Sequence, residues 1–404
     1  MLHPNRILTS SILLSIFAQT CIFADGYRNP PEGAAAIGAF GGHRAFADDA
    51  NATIHNSANL VDLEEPMLQI NTTIGYGETE FQNTIGSDRT ENPWFAIPGL
   101  SIATPIKDGK YAFGFSSYIA FGRSVQWGSS SPFALNGYPY EGSMMVADFT
   151  PNFAIRLTDS ISFGIGPDIY YGEVEQKQFL YGFAGLPAGT HSKLTADGTA
   201  LGWNCALTWK MTDRQRLAAT YRSPFTIKYE GDNEYSYGGN TLLKSDVNAK
   251  IEYPTIVGLA YGLELTDTLR TEINAEWLEF SQYQNLTIND SALPVAVVAQ
   301  QKLKDTWTIG IGGEWDFSEH WTARSGFMYL KNPTPNKTYG TLGPDENQGV
   351  LSLGLGYENE KYLFDIGYAV GLFGGRAVSG SVNSPDGDYD YNVHLISLSC
   401  GYKF

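Results

Sequence analysis

The chain has 404 residues, with 26 Lys plus Arg against 43 Asp plus Glu and a formal charge of −17. That acidic balance excludes a nucleic-acid partner, because a polyanion needs a basic surface. Only 17% of residues are charged, whereas Gly (44), Tyr (24) and Phe (22) are abundant, a mixture that suits strands with one small and one aromatic face.

Residues 1–24 read as a secretory signal peptide. His3 and Arg6 form the basic start, Ile7 to Ala18 the apolar core, and Ala24 the small residue before the cut. Past this leader no apolar run reaches the length of a spanning helix. Cys21 lacks the Leu and small-residue pair of a lipoprotein signal. Cys205 and Cys400 then remain, each inside a strand pattern, and are expected to be free thiols.

Residues 25–65 are rich in Ala, Gly and Asn and carry no period of two. The stretch is too small to fold alone. It needs a host surface, and inside a barrel it would be a hatch, or plug; outside one it would be a periplasmic tail.

From residue 66 to 404 the period of two takes over. It marks fourteen strands, at 66–77, 94–105, 111–122, 144–157, 160–171, 199–210, 216–229, 247–265, 270–280, 306–317, 321–329, 349–357, 362–372 and 392–404. In the third, Tyr111, Phe113, Phe115, Ile119 and Phe121 share one face, with Ala112, Gly114, Ser116, Ala120 and Gly122 on the other. In the ninth, Leu269, Thr271, Ile273, Ala275 and Trp277 alternate with Arg270, Glu272, Asn274 and Glu276. A lipid-facing Arg or Lys near the midplane costs about 2–4 kcal/mol, so that charged face must look into a wet or paired interior. A soluble sandwich would turn it outward.

The connections decide between the two. After even-numbered strands the links are tight, at 106–110, 158–159, 211–215, 266–269, 318–320 and 358–361. After odd-numbered strands they are long, at 78–93, 123–143, 172–198, 230–246, 281–305, 330–348 and 373–391. Turns at one end and loops at the other describe an outer-membrane barrel. A Greek-key sandwich has no reason to keep that order. The last strand ends on Phe404 behind Tyr402, Cys400, Leu398 and Ile396. It resembles the signal by which outer-membrane barrels meet their assembly machinery, so that machinery and outer-membrane lipid are expected partners.

Several stretches then resemble the FadL/TodX family of outer-membrane transporters for hydrophobic compounds. In order they are GHRAFADDANATIHNSANL, PIKDGKYAFGF, AIRLTDSISFGIG, LGWNCALTW, RLAATYRSPFTIKYEGD and WTIGIGGEWDFSEHWTARSGFMYLKNPTPNKT. The resemblance implies an all-β, 14-stranded antiparallel transmembrane barrel in the bacterial outer membrane, closed by an N-terminal hatch. It implies outside capture, a lumenal pocket and sideways exit at an inward kink of the third strand, where Gly114 and Gly122 would permit a bend. In the hatch, Asn56-Ser57-Ala58 replaces the family's Asn-Pro-Ala and precedes Asn59; losing Pro frees a dihedral and adds a donor.

The resemblance also places Arg156 and Lys304 where the family's basic side chains meet a ligand carboxylate. Arg222 and Arg324 read instead as structural ion-pair partners. Phe179, Leu180, Tyr181 and Phe183 in the stretch 172–198 form an apolar cluster suited to capture. The histidines His43, His55, His191, His320 and His394 show no metal spacing. No cofactor, metal or catalytic group is expected, and the chain does not read as an enzyme. The expected function is uptake of hydrophobic small molecules, long-chain fatty acids foremost. Uptake of aromatic hydrocarbons by the same route, a general diffusion porin, a lipid-acting barrel enzyme and an adhesin are the alternatives.

Overall fold

The computed structural model describes residues 26–404 except 85, 108, 182–184, 344 and 373. The leader over 1–24 and Phe183 therefore lie outside the described residues.

Fourteen wall strands follow one another in chain order. They are β1 (Met67–Asn83), β2 (Trp94–Ile106), β3 (Tyr111–Gln126), β4 (Glu141–Arg156), β5 (Ile161–Leu180), β6 (Thr190–Thr212), β7 (Gln215–Arg222, continued by Phe225–Tyr237), β8 (Asn240–Tyr253, continued by Ile256–Glu264), β9 (Leu269–Leu278), β10 (Thr306–Ser318), β11 (Trp321–Leu330), β12 (Gln348–Glu358), β13 (Tyr362–Gly371) and β14 (Gly387–Lys403). β14 runs antiparallel beside β1 from Met67↔Lys403 to Gln82↔Asp388. The sheet thus closes on itself, which removes the unpaired edge that lipid does not tolerate. Pro224 and Pro254 sit at the breaks in β7 and β8, where a residue without an N–H interrupts the ladder.

The alternation in the sequence becomes the two faces of the wall. On β14, Ile396, Leu398, Tyr402 and the terminal Phe404 are exposed to the outside, while Leu395, Ser397 and Ser399 are buried. On β9, Ile273 and Trp277 face out and Glu272, Asn274 and Glu276 are buried inside. Cys205 and Cys400 are free thiols.

Some expected loops are strand. β5 and β6 pair without interruption from Ile161↔Trp209 to Leu180↔Thr190, and Tyr229–Tyr237 pairs with Asn240–Ala249. Phe179 and Leu180 are therefore strand residues, with Tyr181 at the hairpin tip. Polar and charged residues at Glu173, Glu175, Gln176, Lys177 and Gln178 leave no apolar alternation to mark these strands.

The N-terminal segment Gly26–Leu63 fills the lumen. It contains α1 (Ala34–Gly38), α2 (Ala52–His55) and a 3-10 turn at Ser57–Asp62. Its attachments run all round the wall. Asn71 Nδ2 of β1 and Ser101 Oγ of β2 donate to Asn51 Oδ1, each at 2.8 Å. Asn152 Nδ2 of β4 donates to the Thr53 carbonyl at 3.1 Å, and Thr208 Oγ1 of β6 to Asn59 Oδ1 at 2.7 Å. Elsewhere on the wall, the Phe40 N–H donates to Ser352 Oγ of β12 at 3.0 Å and the Ala34 N–H to Ser399 Oγ of β14 at 2.8 Å. Gly42 lies so close to β10 that a β-carbon there would fall 2.5 Å from Gly312 Cα.

Candidate ligand path through the lumen

Among the described residues, two cavities inside the wall bear on the ligand path. The outer one, about 450 Å³, is at the loop end, within the size range of small-molecule pockets. Met144, Val174, Leu194, Tyr229, Ile251, Tyr283, Leu286 and Ile288 give it a mainly apolar lining. Arg123 and Glu175 are the charged residues among the described lining. Lys177 and Lys193 hold the Glu175 carboxylate at 3.3 and 3.2 Å.

The inner cavity, about 110 Å³, lies against the hatch and is more polar. Arg28, Glu32, His55, Tyr118, Asn204, Arg222 and Glu276 are among its lining. Arg222 bridges Asp148 at 2.5 Å and Asp168 at 2.8 Å, both fully buried. Arg324 likewise bridges Glu314 at 2.7 Å and Asp365 at 2.6 Å. Both arginines are ion-pair partners within the lumen.

The start of the hatch separates the cavities. Tyr27 lines the outer one and Arg28 the inner. The Tyr27 ring packs among Phe121, Tyr253, Phe280 and Tyr283 at 5.2–6.4 Å between centroids, and its hydroxyl donates to the Glu252 carbonyl at 2.8 Å. Arg28 forks onto Glu276 at 2.6 and 3.1 Å. Glu276 also pairs with Arg44.

β3 is bent where the hatch meets it. Its ladder with β2 covers Tyr111–Tyr118 against Gly99–Ile106. Trp94–Pro98 of β2 keeps its ladder to β1. A register shift between Ile119 and Phe121 marks the bend. Past it, the Asn29 N–H donates to the Ala120 carbonyl at 3.1 Å and the Gly122 N–H to the Tyr27 carbonyl at 2.8 Å. Three hatch residues thus take the place of β2 on β3. Above them the Glu91 N–H donates to the Gln126 carbonyl at 2.6 Å and rejoins the wall. Ile119 and Phe121, expected on the same outward face as Phe113, are only 6% and 1% exposed. The correction has a simple cause: a strand that leaves the wall for the lumen is covered on both faces.

The expected site residues fall in several places. Gly122 is in the bend, whereas Gly114 lies under the hatch, where a β-carbon would fall 2.4 Å from Thr53 Oγ1. Asn56 and Asn59 tie the hatch together. Asn56 Nδ2 donates to the Arg44 carbonyl at 3.0 Å and to Thr208 Oγ1 at 2.8 Å, and its Oδ1 accepts from the Ala58 N–H at 3.3 Å. Asn59 Nδ2 donates to the Ala45 and Ala47 carbonyls, both at 3.0 Å. Ser57 packs on Gly164 of β5. Arg156 is outside both cavity linings. Its guanidinium donates to the Val61 carbonyl at 2.6 Å, Asp62 Oδ1 at 2.9 Å and the Gly109 carbonyl at 3.3 Å, at the turn end of the hatch. Lys304 is exposed, next to Leu303, which does line the outer cavity. Phe179 stacks on Tyr140 at 5.3 Å and belongs to the packed loop cluster with Trp127 and Phe133. Tyr181 is half exposed beside Gly137. Among the described residues no group of three His, Cys, Asp or Glu is placed to hold a metal ion. Sequence reasoning missed Arg123 and Tyr27–Asn29, whose roles come from contacts about a hundred residues apart in the chain.

Residues 17–404 match the family model described as outer membrane protein transport protein (OMPP1/FadL/TodX). The chain belongs to this family. Like other OMPP1/FadL/TodX proteins it is an outer-membrane transport channel for hydrophobic compounds and not an enzyme. A relative named long-chain fatty acid transport protein, from Escherichia coli O6:H1, is 23% identical over 81% of this chain and 82% of its own. A putative outer membrane protein of Neisseria meningitidis is 21% identical over 99% of both chains. The crystal structure of a Pseudomonas aeruginosa FadL homologue superposes with a TM-score of 0.84 at 21% identity, over 94% of this chain and 100% of that one. That of the Ralstonia pickettii toluene transporter TbuX gives 0.75 at 18% identity, over 94% and 99%.

Proposed function

We propose that the chain takes up long-chain fatty acids by a three-stage route. Ligand enters the outer cavity from the loop end, passes Tyr27–Asn29 into the inner cavity, and leaves sideways between β2 and β3. The observation that carries this reading is the exchange of partners on β3, where Tyr27–Asn29 stands in for β2. Moving those few residues would connect the cavities and uncover the gap in one step.

Magnitudes favour the outer cavity as the affinity site. Hydrocarbon burial gains roughly 0.8 kcal/mol per methylene, so a tail of about ten methylenes outweighs a surface ion pair of about 0–1 kcal/mol. The mainly apolar lining supplies that term. The fatty-acid relative matched over most of both chains supports the choice of substrate, and the toluene transporter of the same fold keeps aromatic hydrocarbons as the second reading.

Labelled oleate uptake by cells with and without the gene tests the proposal, with toluene as competitor. Gene-dependent oleate uptake that toluene does not reduce is expected. Toluene uptake without oleate uptake would move the chain to the second reading. Large steady single-channel currents would sink both in favour of an open pore.

A further inference from the structure

The gap between β2 and β3 has a built frame on its β2 side. Pro98 is the first residue of β2 beyond the ladder that joins Gly99–Ile106 to β3. It still stands opposite Thr72 of β1. Proline has no N–H, and inside a sheet it turns that side to an unpaired edge. The edge of β2 along the gap thus begins with a residue that cannot donate to β3. Toward the loop end, Phe95 and Ile97 face the lumen and are 6% and 2% exposed. With Ile119 of the bent β3 they belong to one buried apolar cluster. The Phe95 ring leans away from the gap. It lies on Gly75, its direct partner on β1, where a β-carbon would fall 1.6 Å from Phe95 Cζ. On the far side of Gly75, buried Leu395 of β14 takes up the remaining room.

We propose that Phe95 sets the width of the side exit, and that Gly75 is the seat that keeps its ring clear of the gap. The ring rests on the β1 side of β2 because position 75 carries no side chain. A methyl group there would drive the ring off its seat. Leu395 blocks one direction, so the ring moves toward the open edge of β2. Side chains packed at interior density respond to a single added methyl, and the opening narrows. Removing the ring has the opposite effect and widens the slot beside Ile97. An unbranched hydrocarbon chain passes the slot as it stands; a chain carrying a fused-ring group does not. Ligands are thus selected by bulk at the wall. Phe95 and Gly75 are outside both cavity linings, so this selection is separate from capture.

This inference rests on the proposed uptake route, and uptake of two probes separates the two. Cells are given labelled oleate or pyrene-dodecanoic acid, and each rate is divided by the amount of folded barrel in the outer membrane. The wild type is expected to favour oleate at least tenfold. Phe95→Ala should raise the ratio of pyrenyl acid to oleate at least fivefold. Phe95→Leu should raise it at least twofold and carries the test if the Ala variant does not assemble. Gly75→Ala should lower oleate uptake at least fivefold. Adding Phe95→Ala to Gly75→Ala should restore it, a rescue that comes from the contact between the two and not from lost packing. Leu353→Ala, on the lipid face of β12, should keep the wild-type ratio. Equal uptake of both probes by the wild type, an unchanged ratio in the Phe95 variants, or no rescue in the double variant overturns the inference and leaves the uptake reading standing. No gene-dependent uptake of oleate by the wild type sinks both.

Discussion

Glu32 shows how the hatch is tuned one side chain at a time. It is buried, its Oε1 has no partner, and a β-carbon on Gly99 of β2 would fall 2.0 Å from that oxygen. Burial pushes its carboxyl up from 4.5 to about 8, against a hydrogen bond from Asn71 that pulls the other way. The docked hatch therefore keeps a proton that the released chain gives up at neutral pH. That contribution is full below about pH 4.5 and is lost as pH rises through about 8. Glu32→Gln keeps the shape and removes the titration. Hatch proteolysis should rise between those two pH values in the wild type relative to the Gln variant. Parallel profiles would show that Glu32 does not set hatch stability.

At the scale of elements, β9 joins wall and hatch. Its buried Glu272 accepts three successive hatch N–H groups, from Arg44 at 2.9 Å, Ala45 at 2.8 Å and Phe46 at 3.2 Å. Leaving a buried donor unmet costs about 1–3 kcal/mol, so Glu272→Ala should loosen the hatch by several kcal/mol. Glu272→Gln, which keeps one acceptor oxygen, should cost less. Ion leak through single channels measures both, and an Ala variant as tight as wild type would refute the role of that carboxylate.

β9 also marks what the sequence made legible. Charges at every second position had to face inward once the alternation of short turns and long loops placed the strand in a lipid-facing wall, because charge in lipid is costly. The same reasoning located all fourteen wall strands, because lipid outside and polar lumen inside impose a period of two. It stopped where that contrast stops. The hairpin Gly172–Leu180 with Thr190–Gly198 read as loop because Glu173, Glu175, Gln176, Lys177 and Gln178 break the apolar alternation along it. The bend at Ala120 depends on Tyr27–Asn29, some ninety residues away in the chain, and no local pattern announces it. Arg123 comes one residue after the last position that the period assigned to strand three, so it fell within the stretch 123–143 read as a loop. Asn59 was picked out by its motif, but its bond to Thr208 needed the fold.

For the whole molecule, the proposed route requires the leading end of the hatch to move while its body stays in place. Asn51, Asn56 and Asn59 bind the body of the hatch to β1, β2 and β6 through buried hydrogen bonds. Tyr27–Asn29 holds β3 by a short ladder, and Arg28 faces Phe121 across it. Facing residues in an antiparallel pair lie about 4.5–5.5 Å apart at Cα, a span that a disulfide can bridge. In a background with Cys205 and Cys400 replaced by Ser, the Arg28→Cys/Phe121→Cys pair fixes the leading end, and the Asn59→Cys/Thr208→Cys pair fixes the body. Labelled oleate uptake by cells carrying each oxidised pair is the most direct measurement. Uptake should fall at least tenfold for the first pair and return on reduction, with the second pair near wild type; undiminished uptake by the fully cross-linked first pair would contradict the route.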